Sequence, residues 1–284
     1  MQTRHMGFTL IELLIVMVVV AIISVGTSGF IRASLDSFNQ INSREALLRK
    51  ATFAMERLDR ELSAAVPNSV RVAGNGNVHC MQFTPIKHAS FYFDIHLQPS
   101  ADKTLQVINK TDIDGKWYTP SINQDVAIIY PTAAAQVYDA SLDVRQLVTA
   151  CTDDGDGDCA SDDATDHKMT LSLADSFAFS SPARRVYFAD HSISYCLRGG
   201  QLFRHKDSLA LTQPVHTFGG TLMAQKLANQ LAANPQQSSV NTQNPFTTIS
   251  ATLRRNAYTQ IQLIFAQDGE YMSFVKEVQI PNVP

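Results

Sequence analysis

Two groups of residues could do chemistry in this chain, and both are built on carboxylates. The first is Cys151-Thr152-Asp153-Asp154-Gly155-Asp156-Gly157-Asp158-Cys159, with Asp162, Asp163 and Asp166 close behind. Asp154, Asp156 and Asp158 alternate as do the first three ligands of an EF-hand loop, and Asp162 or Asp163 would complete an oxygen shell for calcium. Cys159 stands where that loop needs its turn glycine, and no Glu occupies the twelfth position. The competing reading is an exposed acidic loop pinned by a small disulfide, because like charges this dense repel one another at neutral pH. A thermal melt separates the two. A bound ion makes calcium at about 1 mM raise the melting point, the affinity range of extracellular modules, and Asp156→Ala removes the gain. An unchanged melt leaves only the solvated loop.

The second group is smaller. Glu12 is the last charge before a run, Leu13 to Ile31, that has none. At about 1.5 Å per residue that run gives roughly 28 Å of helix, close to the thickness of a bilayer's hydrocarbon core. A lone carboxylate near the centre of such a helix costs about 2.5 to 3.5 kcal/mol. A simple anchor has no use for it, so Glu12 is expected to meet a partner charge on assembly. Elsewhere the chain shows no Gly-x-Ser-x-Gly elbow, no His-Glu-x-x-His and no Gly-rich phosphate loop, and an enzyme is not expected. The eight His residues are scattered. His79, His191 and His205 read as ordinary polar or partly buried residues, and Arg184-Arg185 as a solvated pair.

The stretch Gly7-Phe8-Thr9-Leu10-Ile11-Glu12, behind a short leader with Arg4 and His5 and ahead of the apolar run, resembles the N-terminus of type IV prepilins and pseudopilins. The resemblance implies cleavage by a prepilin peptidase between Gly7 and Phe8 and N-methylation of the new Phe8 amine. It implies that Glu12 neutralises the terminal amine of a neighbouring subunit. The expected partners are other pilins and minor pilins, the peptidase, the inner-membrane assembly platform and the membrane. Ser194-Tyr195-Cys196-Leu197-Arg198-Gly199-Gly200-Gln201-Leu202-Phe203-Arg204 is similar to a hairpin of the larger W- and J-type minor pilins. Length, two cysteine pairs and the absence of a proline in the helix point to the O-type minor pilins of the mannose-sensitive haemagglutinin (MSHA) system. A minor pseudopilin of a type II secretion system and a pilus-borne adhesin remain alternatives.

The elements that must carry these residues follow from pattern. The expected fold is α+β: a long N-terminal helix, membrane-spanning in its first half, packed on a β-rich antiparallel domain. Its parts are a leader at 1–7, a helix at 8–66 with a span at 8–31, and a periplasmic domain at 67–284. Arg4 and His5 keep the N-terminus cytoplasmic by the positive-inside rule. Ile41, Leu48, Met55 and Leu62 recur every seven residues beside a second row of Ala51, Leu58 and Ala65, making an apolar stripe. Pro67 disfavours helix at Val66. Strands are expected at 78–84, 90–97, 125–130, 190–197, 201–205, 259–266 and 271–280, with turns at Gly199-Gly200 and Asp268-Gly269. Met223, Leu227 and Leu231 lie four apart and suggest a helix over 221–233. The stretch 235–245 reads as a polar loop without core residues.

The four cysteines include no CxxC pair, and in an oxidising compartment they more readily make two disulfides. The short loop favours Cys151–Cys159, which leaves Cys80–Cys196. A net charge of -3 and a pI of about 6.2 speak against general nucleic-acid binding. No cofactor is expected unless calcium sits at the acidic loop.

Overall fold

The computed structural model describes residues 9–109, 117–152, 168–237, 242–249 and 258–279. One helix, α1 (Leu10–Ser63), extends from the β-rich remainder. Its 54 residues span roughly 80 Å at about 1.5 Å per residue. The chain is α+β, a long N-terminal apolar helix followed by an antiparallel β domain.

Only the last turns of α1 are buried. Leu47, Ala51, Ala54, Met55, Leu58 and Leu62 face the domain. Leu48 and Ile41, which the seven-residue spacing placed on the same stripe, are 42% and 60% exposed. The geometry of a straight helix accounts for this. A row of residues seven apart drifts by about 20° per heptad, so a row that includes Met55 and Leu62 has turned away by Leu48. The neighbouring row, Ala51, Leu58 and Ala65, is buried throughout. The helix also stops at Ser63, short of Pro67. The chain leaves it early because Ala65 bridges Pro85 and the Val66 amide donates to the Thr84 carbonyl at 2.8 Å.

Beyond α1 the first pair of strands is β1 (Arg71–Asn75) and β2 (Val78–Phe83). They join β9 (Ser192–Arg198), β10 (Gln201–Asp207) and β11 (Thr221–Gln225) in a five-stranded sheet of order β1-β2-β9-β10-β11. A second sheet is β12 (Phe246–Ile249), β13 (Tyr258–Gln267) and β14 (Glu270–Gln279) in that order. Both sheets close on the helix. Met81, Phe83, Tyr195, Leu197, Leu263 and Phe265 share a core with Leu47, Leu58 and Leu62. The two hairpin turns form where expected. Gly199 and Gly200 lie at φ +54° and +70°, and Asp268 and Gly269 at +52° and +82°. Two successive residues at positive φ give the tight turn whose twist suits adjoining antiparallel strands.

Between β2 and β9 the chain builds a second unit that the expected strands only hinted at. β3 (His88–Ile95), β4 (Thr104–Ile108), β5 (Val126–Ile128), β6 (Arg145–Thr152), β7 (Lys168–Leu173) and β8 (Arg185–Ala189) form a closed barrel in the order β3-β4-β7-β6-β5-β8. Its interior holds Tyr92, Leu105, Val107, Val148, Leu171 and Phe188, which the pleat turns inward from the strands, together with Phe177 from the segment between β7 and β8. Tyr138, in the short helix α2 (Ala134–Tyr138), ties the barrel to the base. Its hydroxyl donates to the Ser69 carbonyl at 3.0 Å, and the Arg71 guanidinium lies 3.6 Å above its ring.

The expected helix over 221–233 is not formed. Residues 221–225 are β11, and Leu227 bridges Phe265 in β13. The Leu227 amide donates to the Gly200 carbonyl and the Ala228 amide to the Ile264 carbonyl. Leu227 is buried and Met223 and Leu231 pack against the core, so the apolar residues go inside as their type demands. An extended path lets the segment satisfy free backbone groups on both sheets, which a helix would leave open. Asn244 likewise departs from the expectation of a coreless loop. It is buried, accepting from the Ala232 amide at 3.0 Å and donating to the Pro235 carbonyl at 3.1 Å.

Candidate assembly helix and its anchorage

The first half of α1 packs against nothing among the described residues. Leu10, Ile22, Val25 and Phe30 are all exposed, and nothing in the most apolar window of the helix is buried. It is the one helix among the described residues long and apolar enough to cross a membrane. Its few hydroxyls are satisfied internally. Ser24, Thr27 and Ser28 donate to the carbonyls of Val20, Ile23 and Ser24 at 2.7 to 2.9 Å, which removes most of the penalty for placing them in lipid. Gly26 and Gly29 do not interrupt the helix.

Glu12 lies in the first turn. Its carboxylate faces Thr9, whose amide and hydroxyl each approach it at 3.4 Å. Thr9-x-x-Glu12 is thus a capping box, in which a Glu at the third helical position satisfies the amide of the residue capping the helix. The apolar run drew attention to Glu12 as a lone charge. The Ser/Thr-x-x-Glu signature of a helix start was also present and gives Thr9 a role the charge argument missed. Both contacts are long, so the carboxylate is only lightly held and remains free to accept a stronger donor. Gly7 and Phe8, the expected processing residues, lie outside the described residues.

The other end of α1 is fixed by ion pairs as well as by its core. Arg44 meets Glu270 at 2.8 Å, Ser43 donates to Asp268 at 3.0 Å, and Lys276 meets Asp59 at 2.7 Å. Glu61 accepts from both Arg57 and Arg204 at 3.0 Å, and its hydrogen bond holds the Arg57 guanidinium above its ordinary pKa. Most of these are surface pairs worth roughly 0 to 1 kcal/mol each. They set the angle at which the helix leaves the domain rather than its stability. Apart from the i,i+4 pair Arg57–Glu61, no spacing in the sequence marks them, because each of the others joins the helix to residues some 140 positions or more away.

Cys80 and Cys196 occupy opposed positions on β2 and β9 and are bonded. The bond lies at the neck where the barrel is inserted. On the chain-entropy account, closing a loop of 116 residues stabilises by up to about 5 kcal/mol. Cys151 also belongs to a disulfide. Cys159 lies outside the described residues, as do the proposed calcium ligands Asp154, Asp156, Asp158, Asp162 and Asp163. Among the described residues no group of three or more His, Cys, Asp or Glu side chains is arranged to hold a metal. The imidazole of His79 bonds the Ala232 carbonyl at 2.8 Å, and burial lowers its pKa, as for an ordinary core histidine.

Residues 6–28 match the family model described as the prokaryotic N-terminal methylation motif. No curated protein gives a match, and no solved structure does. The motif, joined to an exposed apolar helix that ends in a β-rich domain, supports a type IV prepilin- or pseudopilin-like, membrane-anchored protein of pilus or pseudopilus assembly.

Proposed function

We propose that this chain is a minor pilin of an MSHA-type pilus, made as a prepilin and drawn from the inner membrane into a filament or its initiation complex. The observation that carries the reading is the methylation motif at residues 6–28 set directly on the unpartnered apolar half of α1. An apolar half-helix that buries nothing against the described residues must bury itself elsewhere. Lipid covers it before assembly and the helices of neighbouring subunits cover it afterwards. The domain, anchored at residues 43–62, is then displayed outward on the periplasmic side. The hairpin at 194–204 and the length of the chain favour the MSHA assignment. A minor pseudopilin of a type II secretion system would share every feature of the helix, and the subunits that copurify with the chain distinguish the two.

Processing supplies the direct test. The mature chain is expected to begin at Phe8 with a methylated amine, so the intact mass from membranes should be that of residues 8–284 plus one methyl group, less two hydrogens for each disulfide. A chain that keeps Met1, or one cut near Ser28, overturns the prepilin reading. Gly7→Ala alters the junction itself and should leave the precursor uncut.

A further inference from the structure

Residues 208–220, between β10 and β11, lie as a strap over the outer face of the five-stranded sheet. Two cations that stay charged at all relevant pH hold the first part. Arg145 donates to the Leu209 carbonyl at 3.1 Å and Arg71 to the Ala210 carbonyl at 2.7 Å. The second part covers the neck disulfide. Gln213 donates to the Cys80 carbonyl at 2.9 Å, and Val215 packs against Val78, Cys80 and Cys196. Both cysteines are fully buried.

The clasp of this second part is a pair of imidazoles. His216 on the strap stacks on His205 of β10 with ring centroids 3.9 Å apart and planes 4° from parallel. His216 also meets Asp207 at 2.9 Å. Arg198 of β9 donates to the His216 carbonyl at 3.1 Å and approaches the His205 ring at 3.4 Å. From the far side Gly220, at φ +86°, lies so close that a Cβ would fall 2.5 Å from the ring. The charged groups facing His205 are therefore Arg198, His216 and Asp207, and β11 carries no titratable side chain.

We propose that the His205–His216 stack is an acid-released clasp, in which protonation of His205 lifts residues 213–220 off the sheet and uncovers the Cys80–Cys196 disulfide. A second cation has no room between Arg198 and a stacked imidazole. Burial first, then His216 and Arg198, pull the His205 pKa down to about 4, while Asp207 opposes them. A freed His205 returns toward about 6.5. The closed strap therefore binds fewer protons than the open one. Its advantage is complete above pH ~6.5 and declines as pH falls through ~4, by about 160-fold at pH 4 and up to about 300-fold below it.

The full chain in detergent, with its disulfides intact, tests this at pH 7.5 and pH 4. Methyl nuclear Overhauser contacts from Val215 to Val78 should weaken at least ~10-fold at pH 4 while the amides of β2 and β9 stay protected from hydrogen exchange. Reduction of Cys80–Cys196 by a water-soluble phosphine should accelerate in parallel. His205→Phe keeps a stacking ring and takes no proton, so it should hold the strap closed at both pH values. Three results overturn the proposal: Val215–Val78 contacts that persist unchanged at pH 4, a pH response that survives in His205→Phe, or loss of β2 and β9 protection together with the strap. Should the variant fail to fold, the wild-type imidazole signal decides. A His205 that titrates near 6.5, or without strap release, overturns the clasp.

Discussion

Glu12→Ala is expected to leave the subunit in the membrane and keep it out of the filament. The substitution removes a carboxylate from the first turn of an apolar helix, so insertion should be at least as favourable as in the wild type. What is lost is the charge that the amine of a neighbouring Phe8 would meet on assembly. The structure adds a confounding loss, because Glu12 also closes the capping box with Thr9. Capping contacts of this kind are worth roughly 0.5 to 2 kcal/mol. Glu12→Gln separates the two roles, since Gln serves in a capping box as Glu does but carries no charge. If charge pairing drives incorporation, both variants are absent from sheared filaments while both remain in the membrane fraction. If only the helix start matters, Glu12→Gln assembles normally and the charge argument fails. A loss of tenfold or more in the filament-to-membrane ratio for Gln is the outcome expected here.

The parts of this molecule that were legible in its sequence are those governed by local rules. The apolar run and its carboxylate, the turns at Gly199-Gly200 and Asp268-Gly269, and the long alternating strands flanking the second turn depend on neighbours a few residues away. The pairing of Cys80 with Cys196 also emerged, by elimination from a short-loop preference. The barrel did not emerge. Its strands β4 (Thr104–Ile108) and β7 (Lys168–Leu173) do alternate, with Leu105 and Val107 facing Met169 and Leu171 in one interior. Each run is only five or six residues long, and nothing local says that β4 closes against a strand more than 60 residues on. Residues 221–233 show the same limit from the other side. Their four-residue spacing suits a helix, and the backbone groups of β10 and β13 that claim the segment lie elsewhere in the sequence. The candidate site divides likewise. Glu12 was readable from its own surroundings, whereas Arg44, Asp59 and Glu61, which aim the helix, acquire their roles only from strands that fold back onto them.

The barrel contains one polar cluster whose loss should be felt throughout it, and Asp125→Ala is the variant that exposes it. Asp125 sits just before β5 with no exposed surface. It accepts from Lys87 at 2.6 Å, from the Tyr118 hydroxyl at 2.7 Å and from the Ser121 amide at 3.0 Å. These donors come from the start of β3 and from the segment leading to β5, so the carboxylate joins chain segments that β8 separates in the barrel. Tyr118 is held further by stacking on His88, with centroids 4.2 Å apart, and both burial and the bond to Asp125 raise its pKa. Removing the carboxylate strands a buried hydroxyl, an amide and an ammonium together. Breaking a buried pair from one side costs about 3 to 5 kcal/mol. Lys87 is 31% exposed and has Asp190 at 3.7 Å, so it can turn to water or to that second carboxylate. The lower end, about 3 kcal/mol, is therefore expected. For a β-rich unit of this size that corresponds to a fall in melting temperature of roughly 6 to 12 °C. Asp125→Asn keeps an acceptor for Tyr118 and should lose about half as much. Lys87→Met removes the charge from the other side and leaves Asp125 with two donors, so it should fall between the two. A melt of Asp125→Ala within about 2 °C of the wild type, too small for a cost of 3 kcal/mol, would mean that the cluster is incidental and that the barrel stands on its apolar interior alone.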